Sequence, residues 1–437
     1  MMKRIIIILF IIALSIFETS CQFWVTNKKE KHKTVVLEEP ELDVEPLWNV
    51  NLIGRPKEVS ILEDNFFYTI KGDFRYTTDI RKFQIIKINL DNPSEIIESQ
   101  EFIGRESSKF LIIKDKLIIG TEDFYMIILD KNDLSLIKKQ KVRHLVEGPV
   151  YEYKGNLYWE NGAIRIKNEN GEKVLQKKNV VKANLQDIID CTTEIYEVDY
   201  LCDEFNGESI VSMVLENGIL YFLTYNPDQW KNEGVTYFVA WNLETNTKVW
   251  VNEITIEHFL AQGTIQIVGD KIYLLGNGRY CYDKKTGQEL WHILQTEEDY
   301  KNEIIIRTET HIKDILYYDG KFYFTNEEFP GSGSLTGFPQ ENYKNLICIN
   351  AEDGSYVWGD MYMFSISNDV VPCVYNDKIY VPGDKYLRVY ESQTGKLIGV
   401  NKDYRGTGMD CIYQYKNILL TFIDKRDHID LVAIKAE

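Results

Sequence analysis

The sequence predicts an all-β fold, a single eight-bladed β-propeller of four-stranded antiparallel blades whose ring is closed by N- and C-terminal strands. Three observations support this prediction: a repeated strand–turn–strand phrase, a second hairpin before each copy of it, and two incomplete units at the chain ends. Self-similarity at a period of about 40–50 residues indicates stacked supersecondary units. The 437 residues are therefore expected to form one large domain rather than several small ones.

The repeated phrase is a strand, a polar turn that ends in Gly, and a short strand that ends in Trp. Its clearest copies are residues 280–291 and 346–358, and a third copy, residues 238–250, has Asn in the turn. Weaker copies at 164–175 and 387–399 carry Leu and Gly in the place of Trp. The phrase predicts the second hairpin of a blade.

A further hairpin precedes each copy. Asp-Gly, Asn-Gly and Gly-Asp pairs lie between alternating apolar residues, and they favour tight two-residue turns because Gly and Asn tolerate positive φ. Each unit then contains four antiparallel strands, which is one propeller blade. Seven units are continuous, with first hairpins near Phe66, Ile112, Tyr151, Met213, Ile267, Leu316 and Val374.

The eighth unit is split between the two ends of the chain. Residues 411–419 and 431–437 supply three strands without a fourth, whereas residues 46–50 form a fourth strand that carries Trp48 without the first three. Pairing the two ends completes the blade and removes the open edges of the ring.

The phrase resembles the repeat of the pyrroloquinoline-quinone-like, or tryptophan-docking, β-propellers, in which the terminal Trp packs between blades. The resemblance covers residues 46–437 and is most specific in the blades that end at Trp48, Trp250, Trp291 and Trp358. It implies one of two subfamilies, the quinoprotein alcohol dehydrogenases or the BamB-like lipoproteins that scaffold outer-membrane protein assembly.

The enzyme subfamily implies a quinone beside two adjacent cysteines, a calcium ion held by Glu and Asn, and a catalytic Asp. No two of the seven cysteines are adjacent in this sequence, and it contains no nucleophile-elbow, zinc-protease or phosphate-loop motif. The six His residues are scattered, and there is no Cys-x-x-Cys pair. We therefore expect no catalytic residue, no cofactor and no metal site.

The N-terminus predicts export. Lys3 and Arg4 precede an apolar run over residues 5–17, which is too short to span a bilayer but suits a signal peptide over residues 1–20. Thr-Ser before Cys21 resembles a bacterial lipobox, although Glu18 stands where that pattern usually has Leu. We expect lipidation of Cys21 and attachment to the bacterial outer membrane, on the periplasmic side or at the cell surface. An uncleaved anchor and ordinary secretion are the alternatives.

Residues 21–45 carry a basic run and then an acidic run, with few apolar residues, so they predict a disordered tether before the propeller of residues 46–437. The net charge of −17 argues against nonspecific nucleic-acid binding, which needs basic surface to neutralise phosphates.

The cysteines fall into two groups. Cys281, Cys348, Cys373 and Cys411 occupy repeat positions on apolar strands, as core residues do. Cys191 and Cys202 lie instead in one segment outside the repeat, and in an exported protein they are candidates for a disulfide.

Four long segments interrupt the repeat. We expect residues 178–209 and 294–312 to join blades, and residues 225–236 and 326–345 to link second and third strands, which would place all four on one face of the ring. An acidic rim with exposed aromatic residues suits a protein partner, and it suits sugars as well. Self-packing insertions are the alternative. The candidate binding residues are Trp230, Phe329, Phe338, Tyr343, Asp199, Asp203 and Glu204.

Together these features predict a non-enzymatic, lipid-anchored monomer that acts as a scaffold for other envelope proteins. The alternative is a propeller module that binds a small ligand or glycan, with calcium held at the acidic face.

Overall fold

The chain is described from a computed structural model. One compact unit covers Pro40–Glu437. The structure describes residues 40–42, 46–52, 60–73, 82–104, 108–161, 165–167, 173–175, 179–201, 209–225, 234–256, 264–275, 278–294, 315–325, 346–360, 371–383, 386–402, 404, 412–425 and 428–436.

The unit is an eight-bladed β-propeller, as predicted, and strand lengths are typical of hairpin-built blades. The first four blades contain these strands: blade 1, β2 (Ile61–Glu63), β3 (Phe66–Asp73), β4 (Lys82–Asn89) and β5 (Ile96–Glu98), with β6 (Phe102–Ile103) also on β4; blade 2, β7 (Leu111–Ile113), β8 (Lys116–Gly120), β9 (Tyr125–Asp130) and β10 (Leu136–Val142); blade 3, β11 (Val146–Tyr153), β12 (Asn156–Asn161), β15 (Val180–Asn184) and β17 (Asp199–Tyr200); blade 4, β18 (Ser209–Glu216), β19 (Ile219–Tyr225), β20 (Gly234–Asn242) and β21 (Thr247–Ile256).

The remaining blades follow the same plan: blade 5, β22 (Thr264–Val268), β23 (Lys271–Leu275), β24 (Gly278–Asp283) and β25 (Glu289–Leu294); blade 6, β26 (Leu316–Tyr318), β27 (Lys321–Thr325), β28 (Leu346–Asn350) and β29 (Tyr356–Asp360); blade 7, β30 (Cys373–Tyr375), β31 (Lys378–Pro382), β32 (Leu387–Glu391) and β33 (Leu397–Asn401); blade 8, β34 (Tyr413–Tyr415), β35 (Ile418–Asp424), β36 (Ile429–Lys435) and β1 (Pro46–Asn51). Outside the blades are a hairpin, β13 (Arg165–Lys167) with β14 (Lys173–Leu175), a helix, α1 (Leu185–Asp190), and a short strand, β16 (Ile195–Tyr196).

The chain ends close the ring as the split unit predicts. Strand β1 pairs antiparallel with β36, with Trp48 opposite Ala433 and Val50 opposite Leu431. The backbone N–H of Leu52 donates to the carbonyl of Ile429 at 2.8 Å. Blade 8 therefore takes its outer strand from the N-terminus.

The first strand of each blade lies toward the centre of the ring and the fourth lies at its rim. First strands of neighbouring blades contact each other, β7 with β11, β18 with β22 and β30 with β34. Fourth strands end the sheets in the topology, except in blade 2, where β16 pairs with β10. The hydrophobic core is divided into clusters that lie between successive blades.

Trp250, Trp291 and Trp358 each pack on the Gly of the next blade's turn. A Cβ at Gly287 would lie 2.6 Å from the Trp250 ring, and one at Gly354 would lie 2.5 Å from the Trp291 ring. Both glycines have positive φ, so the turn and the close approach require the same residue. Trp250 also donates from Nε1 to the carbonyl of Lys284 at 3.1 Å. The predicted role of the tryptophans in packing between blades is confirmed.

Blade 7 has Gly399 in the Trp position, and Leu42 fills that space. A Cβ at Gly399 would lie 2.9 Å from the Cβ of Leu42. The ring is cut between β36 and β1, so blade 8 has no third-to-fourth turn on which a Trp could dock. Residues 40–42, which the sequence assigns to the tether, instead run along β33, where Leu42 N donates to Val400 O at 2.9 Å.

The prediction for residues 178–209 is wrong. These residues do not simply join blades, because β15 and β17 are the third and fourth strands of blade 3. The phrase copy at 164–175 forms the separate β13–β14 hairpin instead. The physical reason is composition: Val180, Val181 and Ala183 are buried in the blade, whereas β13 and β14 carry three basic residues among six.

The strand ends that flank the long connections lie on one face of the ring, which we call the connection face. In a blade of four antiparallel strands, the second-to-third link and the link to the next blade leave from the same side. Residues 226–233 separate β19 from β20, residues 326–345 separate β27 from β28, and residues 295–314 separate β25 from β26. Tight turns such as Asp319-Gly320 occupy the opposite side, the turn face. No helix in the described part of the chain is long and apolar enough to cross a membrane.

Candidate interaction surface

Asp199 is the predicted partner-binding residue that lies in the described part of the chain. It is exposed on β17, which pairs with β15 in the register Asp199 opposite Lys182. The Leu201 N–H donates to Val180 O at 2.9 Å. Because Val180 begins a third strand, this end of β17 lies at the connection face. The other candidates, Trp230, Phe329, Phe338, Tyr343, Asp203 and Glu204, lie outside the described residues, as do Cys21 and Cys202.

Residues 185–201, here called the rim segment, lead from the turn face to Asp199. Asn184 caps helix α1, and its side chain accepts from the backbone N–H groups of Gln186 and Asp187. Leu185 N donates to Gly155 O, in the first turn of blade 3. Ile188 is fully buried and holds the helix on the blade. The sequence Asn-Leu-Gln-Asp therefore starts a short helix with one apolar side.

After the helix, the rim segment covers the outer edge of blade 2. Strand β16 pairs parallel with β10, with Ile195 opposite Lys141. Gln140, which is buried, donates from Nε2 to the carbonyls of Thr193 at 3.1 Å and Glu194 at 3.2 Å. The segment thus satisfies a buried amide and closes a sheet edge at once.

Two polar pairs fix the end of the rim segment. Arg143 donates to Glu197 at 2.6 Å, and this hydrogen bond raises the pKa of Arg143. The Tyr200 hydroxyl lies 2.8 Å from His144 Nε2. Burial lowers the pKa of His144, and the Arg143 charge lowers it further, so the imidazole is neutral at pH 7.

The outward side of the rim segment is acidic with two apolar residues. Ile195 is 46% exposed and Tyr200 is 39% exposed. Exposed carboxylates surround them: Asp187, Asp190, Glu194, Glu197 and Asp199. Apolar residues among polar neighbours are the composition of a protein-binding rim.

Cys191 follows the helix, and its Sγ lies 2.9 Å from Thr193 Oγ1. Its pairing with Cys202 stays a prediction.

The cysteines on the blade strands are buried. Desolvation raises the pKa of Cys281 to about 11 and the pKa of Cys348 to about 12. Each lies between a Tyr and a Trp across the sheet, as Cys281 does between Tyr273 and Trp291. These thiols are packing groups, and no two adjacent cysteines exist in the sequence, so the residues present do not fit the quinone site of the enzyme subfamily. Within the described ranges, no group of three His, Cys, Asp or Glu could hold a metal ion.

Sequence reasoning missed one surface feature. The fourth strand bulges at an apolar residue, and in three blades this residue comes immediately before the docking Trp: Val249, Leu290 and Val357. These side chains are exposed, Val249 by 46%. The signal was present in the phrase as an apolar residue before each Trp.

The blade plan is that of an eight-bladed β-propeller, and the Trp that docks between blades resembles the pyrroloquinoline-quinone-like repeat. Solved structures agree in fold. BamB from Moraxella catarrhalis has a TM-score of 0.54 at 11% identity, with 90% of this chain and 98% of that chain covered. A europium-containing methanol dehydrogenase has a TM-score of 0.60 at 11% identity, covering 90% and 93%.

The quinohemoprotein alcohol dehydrogenase from Comamonas testosteroni has a TM-score of 0.59 at 11% identity, covering 90% and 76%. Neither a protein-family model nor a curated protein matches the sequence. The fold is therefore one that non-enzymatic and enzymatic proteins share.

Proposed function

We propose that this protein is a non-enzymatic, lipid-anchored scaffold of the bacterial envelope that binds a partner protein through its connection face. The observation that carries the proposal is that the strands flanking the interrupting segments end on one side of the ring. The strands that flank residues 226–233, 295–314 and 326–345 end at the face toward which β17, the strand that carries Asp199, runs. Blade residues serve packing, whereas the segments between them are free to serve recognition.

The negative charge of this protein indicates which kind of partner surface would bind it. The net charge is −17, and the described end of the rim segment exposes Glu197 and Asp199 beside Tyr200. Complementary charge steers encounter and excludes wrong partners. A basic surface with an apolar centre on another envelope protein suits this face. Likeness in fold to BamB supports the scaffold role, because that protein carries the same plan over nearly its full length.

Binding at the connection face is tested by replacing the aromatic residues of the connection over residues 326–345. Phe329, Phe338 and Tyr343 are replaced together by Ser, and partners are recovered from crosslinked envelopes. The matched control replaces Lys285 and Glu352 by Ala, since these are exposed on turns of the neighbouring blades at the turn face. Loss of one defined partner in the first variant alone supports the proposal. Unchanged partners in both variants contradict it.

Lipid attachment is tested separately. Mass spectrometry of the mature N-terminus should show acyl chains on Cys21, and Cys21→Ser should release the protein from membranes. An unmodified Cys21 contradicts the anchor and leaves the interaction face to be judged by its own experiment.

The non-enzymatic role predicts no dye reduction with alcohols when pyrroloquinoline quinone and a metal ion are added. Alcohol-dependent reduction would contradict it.

A further inference from the structure

The outer edge of blade 4 is the longest strand of the described chain. Strand β21 covers ten residues and ends its sheet. Val249 is 46% exposed and Val251 is 37% exposed, and Glu253 is exposed as well. Trp250 and Ile254 alternate with them and are buried. A long edge with outward β-branched residues is a template for another strand.

Two other outer edges of the same propeller already hold added extended backbone. Strand β16 lies parallel to β10 of blade 2. Residues 40–42 lie parallel to β33 of blade 7, where Val400 N donates to Pro40 O at 2.8 Å and Leu42 N donates to Val400 O. The outer edges of these blades therefore accept an extended backbone, and in both cases it runs parallel.

At blade 7, the added backbone and the bulged residue pack against the same buried cluster. Ile398 is the bulged residue of β33, and it packs with Leu42 against one buried cluster. Val249 is the bulged residue of β21 and stays exposed. Blade 4 thus presents a backbone edge and an exposed apolar residue at the positions where blade 7 has added backbone and a packed residue.

We propose that the outer edge of blade 4 binds an extended segment of a partner protein, which adds to β21 as a parallel fifth strand. The edge supplies backbone groups, so its ligand is another backbone. The side chains of β21 determine which partner sequence binds: an apolar residue of the partner packs on Val251, and a basic residue lies against Glu253. The site deepens the proposed scaffold role and rests on it, but it is separate from the connection face.

The test uses the full-length protein in detergent and two synthetic eight-residue probes in which every second residue is Thr. The positions between them, which share one face of a strand, alternate Val with Lys in one probe and Val with Glu in the other. Binding is followed by fluorescence anisotropy at about 0.15 M salt, which screens long-range charge. Amide hydrogen exchange locates the bound probe. We expect the Lys probe to bind more tightly and to protect amides of residues 247–256.

Three variants complete the design. Val251→Asp should weaken binding at least about tenfold, which corresponds to about 1.4 kcal/mol, whereas Val251→Thr keeps a β-branched residue and should stay within about threefold. Glu253→Lys should reverse the preference toward the Glu probe. Glu352→Lys is the matched charge control on a turn of blade 6 and should leave the preference unchanged.

Several results would overturn the proposal: no probe binding, protection outside residues 247–256, or equal effects of Glu253→Lys and Glu352→Lys. A dimer that Val251→Asp dissociates would assign the edge to a second copy instead. None of these readouts depends on Cys21 or on the connections, so failure here is distinguishable from failure of the scaffold role.

Discussion

At the scale of single residues, the docking tryptophans and the turn glycines form pairs that the fold needs together. Trp250 meets Gly287 and Trp291 meets Gly354 across successive blades. The sequence predicts the tryptophans as packing groups because they recur at blade ends. It does not predict their partners, since Gly in a turn is explained by positive φ alone. The structure shows that these glycines meet two requirements, a positive φ in the turn and the close approach of a Trp ring.

A matched pair of glycines in blade 6 separates these requirements experimentally. Gly354→Ala places a Cβ 2.5 Å from the Trp291 ring at φ 72°, whereas Gly320→Ala at φ 71° meets nothing within 4 Å. Both substitutions should lower the free energy of unfolding by about 1–2 kcal/mol, because Ala is unfavourable in the left-handed backbone conformation. Overpacking should cost Gly354→Ala about 1–3 kcal/mol more, measured by denaturant unfolding. Equal losses would contradict the docking role of Gly354.

The buried thiols predict a pH dependence. Burial raises the pKa of Cys281 to about 11 and the pKa of Cys373 to about 12, from 9.0. The native state therefore keeps protons that the unfolded state releases, so stability is fully present below pH 9.0 and falls as pH rises toward 11–12. Burial also raises the pKa of Tyr221 to about 12, with the same sign.

Thermal unfolding followed from about pH 8 to about pH 11 should show a falling melting temperature. Cys281→Ala should reduce the slope, and the native thiols should react slowly with a disulfide reagent at the lower pH. A constant melting temperature over this range would contradict the burial of these groups.

At the scale of elements, sequence patterns located hairpins better than they assigned them to blades. Tight turns and alternating apolar residues placed the first hairpins near Tyr151 and Met213, and blades 3 and 4 contain them. The sequence assigns the third and fourth strands of blade 3 wrongly, because the true fourth strand, β17, has only two residues and leaves little pattern to recognise. The phrase copy at 164–175 resembles the second hairpin of a blade because it has the turn residues of the repeat. Its strands β13 and β14 carry fewer apolar residues than blade strands do, and they form a separate hairpin.

Leu42 gives a prediction at this scale, because residues 40–42 complete blade 7. Leu42→Ser should lower the unfolding free energy by about 1–2 kcal/mol through lost apolar burial. Leu47→Ser is the matched control, because Leu47 is 50% exposed on β1, and it should change stability by less than about 0.5 kcal/mol. Equal effects of the two substitutions would show that Leu42 does not replace a docking tryptophan.

At the scale of the whole molecule, the split eighth unit predicted the closure that the structure has. The order β1–β36–β35–β34 joins the two ends in one sheet. Function is harder to predict from the sequence than the fold is, because the repeat encodes packing, whereas the segments that interrupt it vary in length and composition. The predicted face rests on strand direction, which is a property of the whole ring. The rim segment connects blade 3 with the edge of blade 2, so no single stretch of sequence reveals it. The bulged residues, by contrast, have a signal in the phrase itself.

The central claim is that partner proteins bind at the connection face. Lysine crosslinking of intact envelopes, followed by mass spectrometry, tests it most directly. Lys231, Lys301 and Lys344 belong to the connections, whereas Lys285, Lys396 and Lys416 are exposed on turns of the opposite face. We predict that intermolecular crosslinks come from the first set, with the second set forming none. Crosslinks to a defined partner from the second set would contradict the account.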